Sequence, residues 1–433
     1  MSAPGRSGFG ALLQLAVAVV AGRLTRPRRF DPGRTVCRWA QSRLVRGGEE
    51  SIAIRIGRRD FLVMGPGEGS REILDGSPAA HGLRPGELKR EAMGFLAPRA
   101  LTIAHGEDWA RLRALHDQVL AFQGDHALAQ TFLECVRDAF HAPVRSTREV
   151  REAMGRAMQG IVLGERSGRN PELPADVHAL FGAVQSPLRR KLLGWRYRKR
   201  RETLYATLAA RWAGATADDP SLLGLASRFM PPSPSLRERE ELLEQIPHWM
   251  FTFTGSGTDL LSRTLSMITS RPAIHARVRE ELADTGSLDR AEAIRGLRFV
   301  PACLLETGRL FPPVTRTLHR GDPREGFGTF DTEIVHYFPL LHRDEALGSS
   351  VHDFRPDRWL GSAPDPPALA SLLFLRGPRA CPGRELILFV CCVALARQLG
   401  DLELRVRRTC LSHDPLPVTF PESEARFQAE RTS

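Results

Sequence analysis

Most of the chain repeats apolar positions with the period of an α-helix. Asp108–Phe122 sets Trp109, Leu112, Leu115 and Val119 at the spacing that lines one helix face. Asp125–Phe140 repeats the pattern, and Leu386–Leu399 reads as an apolar helix. Ser235–Arg271 predicts two helices, one through Glu238–Glu244 and one from about Ile246 to Ser270, stopped by Arg271-Pro272. Pro272–Ala283 predicts another, followed by a Thr285-Gly286 stop, and Val300–Leu310 one more, closed by Pro312-Pro313. Strand patterns are few and short: Ser51–Ile56, Phe61–Met64, Glu333–Tyr337 and Leu402–Val406. Gly361–Pro367, rich in Pro and Asp, predicts a loop. With no internal repeat and no long linker, the expectation is one mainly helical domain over residues 31–433 with a small sheet component, preceded by an apolar and basic segment, residues 1–30.

Composition changes this picture little. The hydrophobic fraction of 42% is ordinary for a soluble globular protein. Seven scattered cysteines without a CxxC pair exclude a disulfide framework and a zinc ribbon, and favour a reducing compartment. The net charge of +11 comes almost wholly from arginine, since Lys89, Lys191 and Lys199 are the only lysines. The densest run, Arg189–Arg201, is interleaved with Leu, Trp and Tyr and reads as a solvated helix face whose stems cover apolar surface. No nucleic-acid-binding module surrounds it, so a nucleic-acid partner is not expected. Phe9–Gly22 is apolar but shorter than the ~20 residues of a bilayer span. Ala16-Val17-Ala18 is cleavage-like. The odd cysteine count speaks against export, and the segment reads as an amphipathic helix that touches a membrane weakly or packs on the body. The expected location is the cytoplasm, with peripheral membrane contact.

Candidate chemistry concentrates near the C-terminal end. In Phe374-Leu-Arg-Gly377-Pro-Arg379-Ala-Cys381-Pro-Gly383, a single cysteine stands between glycines and arginines. A thiolate is a soft metal ligand. Gly377 and Gly383 permit tight turns beside a flat cofactor, and the helix that follows Pro382 aims its free N–H groups toward the sulfur. Taken alone, the stretch equally suits a buried cysteine in a loop-to-helix turn. Upstream, Glu306-Thr-Gly-Arg309 sets a carboxylate and a guanidinium on one helix face 75 residues before Cys381. Phe354-Arg-Pro356-Asp-Arg358-Trp359 lies between them. Trp109 and Arg113 share a helix face as two donors suited to a carboxylate.

The complete run F-x-x-G-x-R-x-C-x-G, with ExxR and F-x-P-x-R-W in order and at these separations, resembles the cytochrome P450 family from about Asp31 to Phe427. The resemblance implies a triangular, mainly helical fold with small β regions. It implies haem b with Cys381 as the thiolate ligand of its iron, and Phe374 and Gly383 beside the cofactor. Arg358 would join Glu306 and Arg309 in a buried charged triad. Trp109 and Arg113 would meet one haem propionate, and Arg379 and Arg320 the other, with His319 or Arg316 as substitutes for Arg320. The distal-helix pattern [AG]-G-x-[DE]-T, aligned on Gly255, puts Thr258 at the threonine and Gly257 at the acid. Asp259 would then face about 160° away from the acid position. Thr258 and Ser256 are the expected proton carriers, and Phe251, Thr254, Val314 and Thr315 the expected pocket wall.

The implied activity is that of a monooxygenase which puts one oxygen atom from dioxygen into a small apolar substrate, in bacterial specialised (secondary) metabolism. Gly257 keeps open an atypical output: coupling, desaturation, rearrangement or peroxide use. A non-enzymatic haem sensor or carrier is the third reading. No flavin or nicotinamide motif occurs, so a ferredoxin or flavoprotein reductase would supply electrons to a monomer, docking near Arg376 and Arg384.

Overall fold

The computed structural model describes residues 31–76, 84–122, 126–165, 170–231, 233–322, 329–361, 369, 371–400, 402–406, 411–421 and 426–431. The expected N-terminal amphipathic helix over residues 9–22 and nearly all of the expected loop 361–367 lie outside these residues.

Along the chain the helices are α1 (Pro32–Gly47), α2 (Glu68–Asp75), α3 (Glu87–Leu96), α4 (Gly106–Val119), α5 (Ala129–Ala139), α6 (Thr147–Leu163), α7 (Leu173–Gln185), α8 (Pro187–Gly214), α9 (Leu222–Arg228), α10 (Leu236–Phe251), α11 (Thr258–Thr269), α12 (Pro272–Asp284), α13 (Ala291–Gly296), α14 (Phe299–Leu310), α15 (Phe338–His342) and α16 (Arg384–Leu399). The strands are β1 (Ser51–Ile56), β2 (Arg59–Met64), β3 (Arg316–Arg320), β4 (Thr332–Tyr337), β5 (Leu402–Val406) and β6 (Phe427–Arg431). Local chemistry sets many of the ends. Ser235 and Glu238 form a reciprocal capping box at the start of α10. Gly164 closes α6 in the left-handed region, at φ 74°.

The chain divides into two compact units. One holds the described residues up to Lys89, then Leu305–Cys381 and the described part of 410–423. Its sheet has the order β1-β2-β4-β3. β1 and β2 form an antiparallel hairpin, β2 runs parallel to β4, and β3 is antiparallel to β4. Leu62, Met64, Ile73 and Ile334 form one apolar cluster of this unit, and Leu74, Phe338, Leu341, Leu369 and Leu372 another.

The second unit, Arg90–Leu304, Pro382–Thr409 and Glu424–Ser433, is helical apart from the antiparallel pair β5–β6. In α16 every residue from Leu386 to Ala396 is buried, as an all-round apolar helix requires.

The expected break near Ile246 does not occur. α10 runs from Leu236 through Pro247 to Phe251 and continues as a π-helical turn, Thr252–Gly257, into α11. The strands β3 and β6 carry too few strongly apolar residues (RTLHR and FQAER) to stand out by alternation. Among the described residues no helix is long and apolar enough to cross a membrane.

Candidate active site

The ExxR helix and the segment after it build a dry ionic knot. Glu306 and Arg309 are fully or almost fully buried, and their i,i+3 spacing on α14 lets them meet side-on. Arg309 donates from Nη2 to Glu306 Oε1 and from Nε to Oε2, each at 2.8 Å. Its remaining donors reach the carbonyls of His342 (3.1 Å), Val351 (2.9 Å) and Asp353 (3.2 Å). Arg358 comes within 3.4 Å of Glu306 and donates to the Ser350 carbonyl at 2.6 Å. The three expected residues are thus in contact.

Two neutral partners escaped the sequence reading. Trp359 donates from Nε1 to Glu306 Oε2 at 3.0 Å. His342 shares a hydrogen bond with the Arg309 carbonyl through Nδ1 (2.9 Å) and accepts from the Leu372 N–H through Nε2 (2.8 Å). The second bond fixes the imidazole as the neutral Nδ1–H tautomer, and burial holds its pKa down at about 3. Through His342 the knot grips the start of the cysteine loop. Gly308 grips it too: a Cβ there would overlap the Leu373 side chain.

The loop is bent by two left-handed residues, Leu375 and Gly377, both at φ 57°. A side chain at 377 would also press on Asp75 Cα and the Leu74 carbonyl, each 3.1 Å away, so glycine is needed twice over. The Cys381 N–H donates to the Phe374 carbonyl at 2.8 Å. Arg376 is held by Asp75 through two 2.8 Å bonds, and Arg384 lies 3.5 Å from Glu385. Both arginines expected to dock an electron donor therefore carry an acid, most firmly Arg376. From Leu373 to Gly383 no residue is buried. Of the described cysteines Cys381 alone is partly accessible; the other five are buried. Burial pushes the Cys37 and Cys391 thiols up to about 12, which keeps them protonated. At Gly383 a Cβ would meet nothing nearer than Leu120 Cδ1 at 3.8 Å, so these protein contacts do not demand glycine there.

Beside this loop lies a cluster of bases. Strand parity puts Thr317, His319, Ile334 and His336 on one face of the β3–β4 pair. The His319 and His336 rings sit edge to face at 5.5 Å. Arg379 donates from Nη1 to the Ile73 and Gly76 carbonyls. Lys89, His336 and Arg379 each push the His319 pKa down, after burial itself. Burial and then Arg379 lower Lys89 to about 8 and His336 to about 3, and burial lowers Arg379 to about 10. No carboxylate contributes to any of these four shifts. The sheet's nearby acid, Glu333, lies on the opposite face of β4 and accepts from the Leu88 N–H at 2.9 Å. His319 Nδ1 and both ring nitrogens of His336 are buried without a partner among the described residues.

Orphaned nitrogens within an all-basic set fit an anionic ligand. The two carboxylates of haem are such a ligand, and an accessible cysteine in the same unit suits its iron. Arg320, expected in this set, lies on the other face of β3, where its Nε donates to the Phe330 carbonyl at 2.7 Å; its neighbour His319 holds the position instead. Lys89 and His336 carry no sequence pattern that would mark them.

In the second unit, Trp109 is partly buried, and Arg113, one turn on, bonds Asp117 at 2.8 Å. At the π turn Thr258 is fully buried and donates to the Phe253 carbonyl, five residues back, at 2.8 Å. Thr254 is equally sealed. Thr252, Ser256, Asp259 and Arg263 share the partly accessible face, and Asp259 pairs with Arg263 at 3.3 Å. A Cβ at Gly257 would stand 2.6 Å from the Thr252 carbonyl oxygen, 2.8 Å from Ile387 and 3.2 Å from Met154. That position has no room for any side chain, acid or otherwise. Of the expected pocket residues, Phe251 stacks on Phe181 at 4.5 Å, Val314 is 48% exposed and Thr315 accepts from the Phe338 N–H.

Comparison with known proteins agrees with this chemistry. The family model described as Cytochrome P450 matches residues 238–417. The mitochondrial 25-hydroxyvitamin D-1 alpha hydroxylase of Rattus norvegicus is 26% identical over 76% of this chain and 76% of its own. The cytochrome P450 monooxygenase fsdH of Fusarium heterosporum is 28% identical over 42% of this chain and 35% of its own. In fold, the retinoic acid-bound cyanobacterial CYP120A1 superposes with a TM-score of 0.71 at 18% identity, covering 90% of this chain and 94% of that one. The matched residues, 238–417, hold the glutamate–arginine knot and the partly accessible cysteine, and with these relatives they make the chain similar to the cytochrome P450 family, oxidoreductases that carry haem on a cysteine thiolate and draw electrons from an external donor.

Proposed function

We propose that the protein is a monooxygenase acting on a small, apolar substrate, with Cys381 Sγ as the iron ligand. The basic cluster carries this reading: Lys89, His319, His336 and Arg379 hold the haem carboxylates, giving the orphaned imidazoles a partner. Bound there, haem supplies dioxygen activation, and the thiolate favours O–O cleavage. The protein's share is to hold the group, exclude water and move protons. An apolar substrate is supported by two relatives, one named for 25-hydroxyvitamin D and the other bound to retinoic acid.

The distal pattern reads best two residues further on than an alignment on Gly255 places it. Gly257, which cannot accept a Cβ, is then the pattern's glycine, Ser256 its small residue and Asp259 its acid. The threonine position falls on Leu260, a buried apolar side chain. The acid is therefore present and the alcohol is missing. Asp259 takes up protons from water and Ser256 Oγ passes them on along the accessible face, while Thr258 holds the π turn.

The test is turnover under isotope-labelled dioxygen, with 25-hydroxyvitamin D and retinoic acid first screened for a haem spin-state shift. One labelled oxygen in the product supports the reading, and label drawn only from water overturns it. Cys381→Ser must abolish the thiolate-type carbon monoxide spectrum of the reduced protein. Ser256→Ala and Asp259→Asn should lower product formed per electron consumed by about tenfold, within the usual range for a proton-transfer group. Thr258→Ala should leave that ratio unchanged. The opposite ranking would restore Thr258 as the proton carrier.

A further inference from the structure

We infer that His178 is a positioning residue for the oxidation: from α7 it supplies the hydrogen bond that the π turn denies its own Thr254 carbonyl, and so holds that turn in register. In an unbroken α-helix the Thr258 N–H would bond Thr254, four residues back. Here it reaches past that carbonyl to Phe253 and is shared with Gly255. Thr254 is fully buried, and a buried carbonyl without a partner is costly. His178 approaches it from the neighbouring helix, with Nδ1 3.2 Å from the oxygen.

The carbonyl can only accept, so Nδ1 carries the proton. Burial and then Arg151 hold the ring below its ordinary pKa, against the raising effects of the Thr254 bond and Asp259. At neutral pH the ring is therefore uncharged, and the carbonyl selects the Nδ1–H tautomer. Packing reinforces the bond. Phe181, three residues on and hence on the same face of α7, stacks on Phe251 at 4.5 Å. It also lies 3.2 Å from where a Gly255 Cβ would stand. Two side chains of one helix thus grip the turn, one by contact and one by a directed bond.

The register of the turn matters to the reaction proposed above, on whose proton route this inference rests. A π turn amounts to one extra residue in an α-helix. Expelling it would rotate the chain ahead of the turn by about 100° relative to Asp259 and Arg263 behind it. Ser256 lies inside the turn, so its position relative to Asp259 is set by that register. Thr258 does not substitute for His178: its hydroxyl bonds the Phe253 carbonyl and leaves Thr254 to the imidazole.

Three variants of the full-length, haem-loaded protein test this, turning over 25-hydroxyvitamin D or retinoic acid as the spin-state screen selects. Asn places an amide N–H where imidazole Nδ1 stands, Gln places one at the Nε2 position, and Phe keeps a ring without a donor. His178→Gln and His178→Phe should each lower product formed per electron consumed by about tenfold, with the carbon monoxide spectrum retained. His178→Asn should stay close to the wild type. Nitrogen-15 NMR of the histidine-labelled wild type should show the imidazole that His178→Asn removes as the Nδ1–H tautomer. Full coupling in His178→Gln and His178→Phe, equal loss in all three variants, or an Nε2–H tautomer overturns the proposal. Where Asp259→Asn itself lowers coupling, adding His178→Phe should cost nothing more, since both act on one step; a further loss of about tenfold overturns it. If instead Ser256→Ala and Asp259→Asn keep full coupling while His178→Gln loses it and His178→Asn does not, the proton route fails and the clamp stands.

Discussion

Two buried polar clusters lie in one unit and solve opposite problems. Around Glu306 two guanidiniums share one carboxylate and most donors have an acceptor. Around His336 all the charge is of one sign, and ring nitrogens stay empty-handed. The first cluster finds its partners within the protein, so that removing one member strands the others. The second is a cost to the fold until an anion arrives. A knot that is complete without cofactor can position the cysteine loop before loading, and an incomplete cluster gives the cofactor something to repay.

The largest effect should come from cutting the knot. Glu306→Ala leaves Arg309 and Arg358 buried without a counter-charge, a loss of about 3–5 kcal/mol. Chemical denaturation should show it, with little haem-loaded protein recovered. His336→Leu should act in the opposite direction on the apoprotein. Removing two unsatisfied nitrogens leaves its stability unchanged or raised by about 1 kcal/mol, while haem transfer to apomyoglobin should quicken by about tenfold through loss of one charge-assisted contact. If His336→Leu destabilised the apoprotein as much as Glu306→Ala does, the contrast between the clusters would be lost.

Acid sharpens the difference. The folded apoprotein holds His336 and His342 at about 3 and His116 at about 4, in each case mainly by burial. In the unfolded chain they titrate near 6.5. Above that pH both states are neutral and stability is full. As the pH falls below it, only the unfolded chain takes up protons, so stability declines by up to about 1.4 kcal/mol per unit for each group. Apoprotein melts between pH 7 and 5 should show this slope, and haem loading should flatten the His336 share, because a carboxylate neighbour raises that group. The smallest effect belongs to the exposed clasp: Arg376→Gln should cost under about 1 kcal/mol, read by the same melts.

The same contrast separates what the sequence reveals from what it hides. Glu306, Arg309 and Arg358 are legible because their partners sit at fixed, short spacings. Trp359 and His342 complete the knot as neutral donors and acceptors, roles that only packing assigns. In the basic cluster Arg379 is legible from the cysteine motif. Choosing His319 over Arg320 takes strand parity, and β3 is itself hard to see in RTLHR. Lys89 and His336 come from distant segments with no shared pattern. The π turn follows the same logic. Its glycines are visible in sequence, but the carbonyl of Thr252 that closes off position 257 is not.

The clasp of the cysteine loop on α2 joins Asp75 to Arg376, positions 301 apart in the chain. β2 likewise waits for β4 before it gains its second neighbour. A ribosome must therefore add 301 residues after Asp75 before the clasp can close. Until those late residues arrive, α2 and the β1–β2 hairpin must persist without the partners that hold them in the finished fold.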